Sequence, residues 1–192
     1  ILASLLHSEG IYAETLPKPT NDSLRFGRQY TSGKECIPMT ITAGSLLERL
    51  SRENDSDKRF AFFMPTSHGP CRFGVYNVLH KIILEKTNWG DRVRIVAPND
   101  QDYFAGMSPD FRVRAIAGYA ASDLLMAALH DVRPCEREQG ISQQIYDRYF
   151  NELIELLSSS AASSLLSALG ELPNGMFGIS ALMSRAANDF RL

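Results

Sequence analysis

The chain of 192 residues carries 20 Lys and Arg against 22 Asp and Glu, a net charge of −2, which gives no electrostatic case for nucleic acid or for an anionic membrane surface. With 44% hydrophobic and 22% charged residues it has the composition of a globular protein able to bury a core of its own. Three cysteines are too few for a disulfide framework, no signal peptide is visible and no apolar run could span a bilayer, so the expectation is a cytoplasmic protein with neither a nucleic-acid nor a membrane partner.

The first residues, Ile1 to Leu6, already show helical spacing, as though the chain began partway through an element. A fragment of a longer protein, with a strand upstream, is the expectation. Gly10 ends this helix, Ile11 to Leu16 is expected as a strand closed by Pro17, and Asn21 or Asp22 would cap a short helix near Leu24 to Gln29. The polar loop Tyr30 to Pro38 carries Cys36 into a helix with Ile41, Leu47 and Leu50 on one face, Gly44 for close packing and Pro38 in the first turn. A charged turn from Glu53 to Lys58 precedes the apolar run Phe60 to Met64, which reads as a buried strand. Pro65 to Gly74 is a turn carrying Cys71, and Val75 to Leu84 reads as a helix with Val75, Leu79, Ile82 and Ile83 on one face. Val93 to Val96 makes another strand, stopped by Pro98.

Three strands alternating with helices imply an α/β, Rossmann-like fold with a parallel sheet of three or more strands, covered on both faces. From Asp110 the pattern is helical. Phe111 to Leu129 suits close packing on the sheet, Arg133-Pro134 breaks it, and Ser142 would cap a helix with Ile145, Tyr149, Leu153 and Leu157 on one face. Leu165, Leu166 and Leu169 continue the apolar pattern, Pro173-Asn174-Gly175 reads as a turn, and Ala181 to Phe190 as a last helix. The expected division is a Rossmann-like domain over 1–130 and a helical extension over 131–192.

The two similar loops are the candidate site. Each delivers a thiol to the start of a helix, where free N–H groups and the helix dipole favour a thiolate, and in a parallel sheet both would emerge at the ligand-binding end. From the residues alone several chemistries stand open: structural thiols at tight turns, metal or cluster ligands drawn from separate loops, or a nucleophile Cys71 with His68 as its base. Lys34 and Arg72 lie beside the cysteines and would favour thiolates if the loops converge. Glu35, Ser67 and His68 complete the supporting loops, Cys135 stands apart, and His7, His80 and His130 are expected on helix surfaces.

Three stretches carry a resemblance: Gly27 to Cys36; Phe62 to Thr66 with Gly69 to Gly74 and Tyr76 to Leu79; and, more weakly, Arg133-Pro134 with Glu136. Together they resemble the large proteins related to the activators of 2-hydroxyacyl-CoA dehydratases, the CoA-substrate-specific enzyme activase family, in a domain similar to the dehydratase and benzoyl-CoA reductase subunits. The resemblance implies an internal domain of a much longer protein, acting in an ATP-dependent acyl-CoA dehydratase or reductase activating system of anaerobic metabolism. Its partners would be the other domains of that protein, including an actin-like ATPase region, and an acyl-CoA-processing enzyme. It also implies that Cys36 and Cys71 are ligands of a [4Fe-4S] cluster used for electron transfer, incomplete and without its cluster in this chain alone. The alternative from another class is a non-catalytic scaffold or docking domain whose cysteines are structural.

Overall fold

The computed structural model describes residues 1–101, 103–104, 106–159 and 174–191. In chain order the regular elements are α1 (Leu2–Ser8), α2 (Asn21–Arg28), α3 (Ile37–Ser51), β1 (Phe60–Phe63), α4 (Tyr76–Lys86), β2 (Val93–Val96), α5 (Pro109–Val132), α6 (Ile141–Ser158) and α7 (Asn174–Asp189), with short 3-10 turns at Arg72–Val75 and Arg133–Cys135. The chain divides into two compact units, one of Leu16–Gly106 and one formed by Ile1–Thr15 together with Met107–Leu192. Residue 130 falls inside α5, and α5 and α6 belong to the same unit.

The Rossmann-like expectation is overturned. Among the described residues the chain is mostly helical and its sheet has two strands, β1 and β2, which run parallel with Phe60 opposite Val93 and Phe63 opposite Val96. The expected strand at Ile11 to Leu16 is irregular chain. The Ala13 carbonyl is taken by His7 Nε2 at 2.6 Å, and Ile11 and Tyr12 are exposed. An apolar run becomes a strand only where a partner strand satisfies its backbone, and here a local side-chain bond does so instead.

Within the unit 16–106 the two strands and α4 form a single β-α-β repeat with α2 and α3 packed beside it. Leu46 and Leu50 of α3, Leu84 of α4 and Val93 of β2 bury one another, joined by Phe60, Phe62, Trp89 and Ile95. A second cluster joins Met39, Met64 and Tyr76 with Cys36 and Phe73 at its border. Strand side chains alternate, so the opposite face presents Ala61, Phe63, Arg94 and Val96, all exposed. That is the pattern of a sheet covered on one face, not on both.

Helices α2 and α3 approach until backbone meets backbone. A Cβ on Gly44 would lie 1.7 Å from the Ser23 carbonyl oxygen, and one on Gly27 would lie 2.0 Å from that of Thr40. Thr20 caps α2, its Oγ1 accepting from the Asp22 and Ser23 N–H groups, while the Ser23 hydroxyl donates to Glu48 of α3 at 2.6 Å. The helix expected over Val75 to Leu84 forms, but its buried face is Tyr76, His80, Ile83 and Leu84, and Val75 and Ile82 are exposed. His80, expected at a surface, is 1% exposed.

In the other unit α5 packs with α1, α6 and α7 around Leu5, Phe111, Leu125, Leu153 and Leu182. Ile145, Tyr149, Leu153 and Leu157 form the buried face of α6 as their spacing predicts. Gly140, not Ser142, precedes the helix; the Ser142 hydroxyl instead donates to Glu136. Asn174 and Gly175 open α7 rather than forming a turn. Leu165, Leu166 and Leu169 lie outside the described residues. No described helix is long and apolar enough to cross a membrane.

Candidate functional site

Cys36 occupies the N-cap position of α3, its carbonyl accepting from the Met39 and Thr40 N–H groups. Ahead of it the loop is held by Glu35, whose carboxylate accepts from the Ser32 N–H and hydroxyl, an arrangement that keeps its carboxyl below the usual range. Cys71 sits at the corresponding place in the second loop, at the start of the 3-10 turn that leads into α4, and is exposed.

The second loop is closed at its base. Strand pairing continues beyond β1 and β2, with the Met64 N–H donating to Val96 and the Thr66 N–H to Pro98. The Thr66 hydroxyl donates to the Gly74 carbonyl at 2.8 Å, and a Cβ on Gly74 would lie 2.6 Å from the Ser67 carbonyl oxygen. Gly69 has φ +156°, near the extended limit. His68 is tied down by Asp100 twice: its backbone N–H reaches Oδ2 at 3.1 Å and its Nδ1 reaches Oδ1 at 2.7 Å. The hydrogen bonds from His68 hold the Asp100 carboxyl below its ordinary value.

The two loops meet. Arg72 donates through Nη1 to the Lys34 carbonyl at 2.8 Å, and Cys36 Sγ lies 2.8 Å from the Tyr76 hydroxyl. That hydroxyl bond is the main reason the Cys36 thiol titrates below its ordinary value; the Met39 N–H and the Arg72 charge act in the same sense. Tyr76 moves the opposite way, pushed up to about 12 by burial first, then by its bond to Cys36 and by the charges of Cys36 and Cys71. The tyrosine therefore keeps its proton, and donates it to the sulfur whenever Cys36 is a thiolate.

No family model matches this chain, and no curated protein or solved structure matches it either. The site therefore rests on its own chemistry. Two thiols from converging loops, a hydrogen bond to one sulfur and a guanidinium beside them suit soft-metal or iron–sulfur ligation in part. Among the described residues no group of three or more His, Cys, Asp or Glu is gathered as for a metal ion.

Of the expected residues, Cys36, Lys34, Glu35, Cys71 and Arg72 fall at the junction of the loops. Ser67 closes the base of the second loop, and His68 is turned to Asp100. Cys135 is exposed in the other unit. Tyr76 and Asp100 had no assigned role. Tyr76 stands within a stretch that carries the resemblance and on the buried face of its helix, a signal that could have marked it; Asp100 comes from a loop that pairing alone brings near. Shallow depressions of about 470 Å³ along α2 and about 480 Å³ beside Lys81 and Arg92 are lined by no cysteine.

Proposed function

We propose that the unit 16–106 contributes Cys36 and Cys71 as thiolate ligands to an iron–sulfur cluster serving electron transfer in a 2-hydroxyacyl-CoA dehydratase activator-related protein. The observation that carries this reading is the Tyr76 hydroxyl, which bonds Cys36 Sγ at 2.8 Å and has its titration raised by the charge of Cys71 as well. Both thiols bear on this one hydroxyl, Cys36 through the bond and Cys71 through its charge, which supports their sharing an ion, and the exposure of Cys71 leaves it open to one. Arg72 would offset the negative charge of the group, and Tyr76 would donate to a ligand sulfur, an interaction that tunes cluster potential. The remaining ligands, and the domains that handle ATP and the acyl-CoA, would come from outside the described residues.

Anaerobic iron and sulfide analysis of the whole protein, with Cys36→Ala and Cys71→Ala, tests the assignment. Loss of cluster content in both variants is expected; full content in both refutes it. A second measurement is independent of any cluster. In the 192-residue chain, Tyr76→Phe removes the hydrogen bond that stabilises the Cys36 thiolate, so the pH profile of Cys36 alkylation should move to higher pH while that of Cys135 stays in place. An unmoved Cys36 profile would remove the observation on which the site is built.

A further inference from the structure

Helix α5 has a second apolar stripe. Its inner face buries Phe111, Ala115, Gly118, Ala121, Leu125 and Leu129. On another side Ile116 is 68% and Leu124 59% exposed, and Val113, Ala120 and Ala127 are exposed with them. With 3.6 residues per turn, all five lie within about 40° of the direction of Ala120. The stripe is symmetric in sequence about that alanine: Ile116 and Leu124 stand four residues to either side, Val113 and Ala127 seven.

We propose that this stripe is the docking surface for a second copy of the chain, the two α5 helices pairing antiparallel about a two-fold axis at Ala120. The small residue at the axis lets the backbones approach, Ile116 then lies beside Leu124 of the other copy, and the larger Val113 faces the smaller Ala127. This is the self-complementarity that an isologous interface requires. Charge selects the same orientation. Arg112 and Asp131 flank opposite ends of the stripe, both exposed, and the antiparallel pairing brings each within about one helical turn of its opposite on the other copy. A parallel pairing would set Asp131 beside Asp131 and leave Arg112 on opposite flanks with no acidic partner, and like charges in contact disfavour it.

Sedimentation equilibrium of the 192-residue chain tests the proposal. The expected result is a reversible dimer that Ile116→Glu and Leu124→Glu each convert to monomer, with circular dichroism unchanged because both side chains are exposed in the single chain. Arg112→Asp should weaken the dimer by about tenfold or more, and adding Asp131→Arg should restore it. Orientation is read by cross-linking in a Cys36→Ser, Cys71→Ser, Cys135→Ser background. Ala120→Cys should form a disulfide with its own copy, whereas Val113→Cys should do so only when mixed with Ala127→Cys. A chain that stays monomeric, a dimer that survives Ile116→Glu, or a Val113→Cys variant that cross-links with itself would each overturn the proposal.

Discussion

Replacing Gly44 by Ala drives a methyl group into the backbone of the neighbouring helix. The new Cβ would stand 1.7 Å from the Ser23 carbonyl oxygen and 2.7 Å from the Gly27 nitrogen. Neither is the free end of a side chain that could swing aside. Ordinary contact is about twice the first distance, so α2 must retreat by roughly 1.5 Å along its length. Alanine is the better helix former by about 1 kcal/mol, which by itself would stabilise α3. Overpacking that moves backbone costs about 1–3 kcal/mol or more, and the retreat also lengthens the buried Ser23 to Glu48 hydrogen bond of 2.6 Å, so a net loss of about 2 kcal/mol is expected. The chain has one tryptophan, Trp89, which packs against the cluster of Leu46, Leu50, Leu84 and Val93. Its fluorescence therefore follows the unit 16–106. With a urea slope of about 2 kcal/mol per molar, the midpoint should fall by about 1 M. A midpoint that is unchanged or raised would show that the helices are not held at this distance, and would refute the packing on which the placement of Cys36 depends.

His80 is buried with Nδ1 unpartnered and Nε2 3.2 Å from the Thr42 hydroxyl, and burial lowers its titration from 6.5 to about 4. Between those values the unfolded chain takes up a proton that the folded one refuses, so stability rises with pH. The contribution is fully present above pH 6.5 and lost as pH falls toward 4, about 3 kcal/mol in all; His80→Leu should flatten the dependence of the urea midpoint on pH in this window, and an unchanged slope would contradict the assignment. Arg114 is 3% exposed and donates to the carbonyls of Leu157 at 2.6 Å and Ser159 at 3.2 Å, closing the end of α6, and to Ser8 Oγ at 3.2 Å. Arg114→Ala should lower the thermal midpoint of the unit containing α5 and α6 and cost about 3 kcal/mol, since several buried acceptors lose their donor at once; a loss under about 1 kcal/mol would contradict this.

Local signals in the sequence proved dependable where the structure is local. Pro38 in a first turn, the apolar positions of α3 and the spacing of Ile145, Tyr149, Leu153 and Leu157 identify helices because their hydrogen bonds lie within the segment. Phe60 to Phe63 and Val93 to Val96 read as strands and pair with each other. Ile11 to Leu16 has the same kind of apolar beginning, but strand formation depends on a partner elsewhere, and the run instead lies exposed beside His7. The step from strands to fold class fails at that point, since a run after a helix, closed by Pro17, counts as a third strand only if it has a partner to pair with. On α4 the polar-looking His80 and the hydroxyl-bearing Tyr76 are inside while Val75 and Ile82 are outside. Reading hydrophobicity by residue type turned the helix by about one position. The same error hid Tyr76 from the site. Cys36 and Cys71 were legible as thiols at helix starts, whereas the bond from Arg72 to the Lys34 carbonyl and the clasp of Asp100 on His68 join residues far apart in sequence and carry no local mark.

The unit that holds α5, α6 and α7 also includes α1, with the other unit lying between them in sequence. A ribosome therefore releases α1 long before its neighbours exist. Leu5, 0% exposed in the finished fold, lacks α5 and α6, against which α1 packs, while residues 16–106 emerge. Closing so long a separation costs about 4 kcal/mol of chain entropy before α1 gains anything by docking. Residues 16–106 can therefore mature first, and the docking of α1 on α6 waits for α6 to leave the exit tunnel.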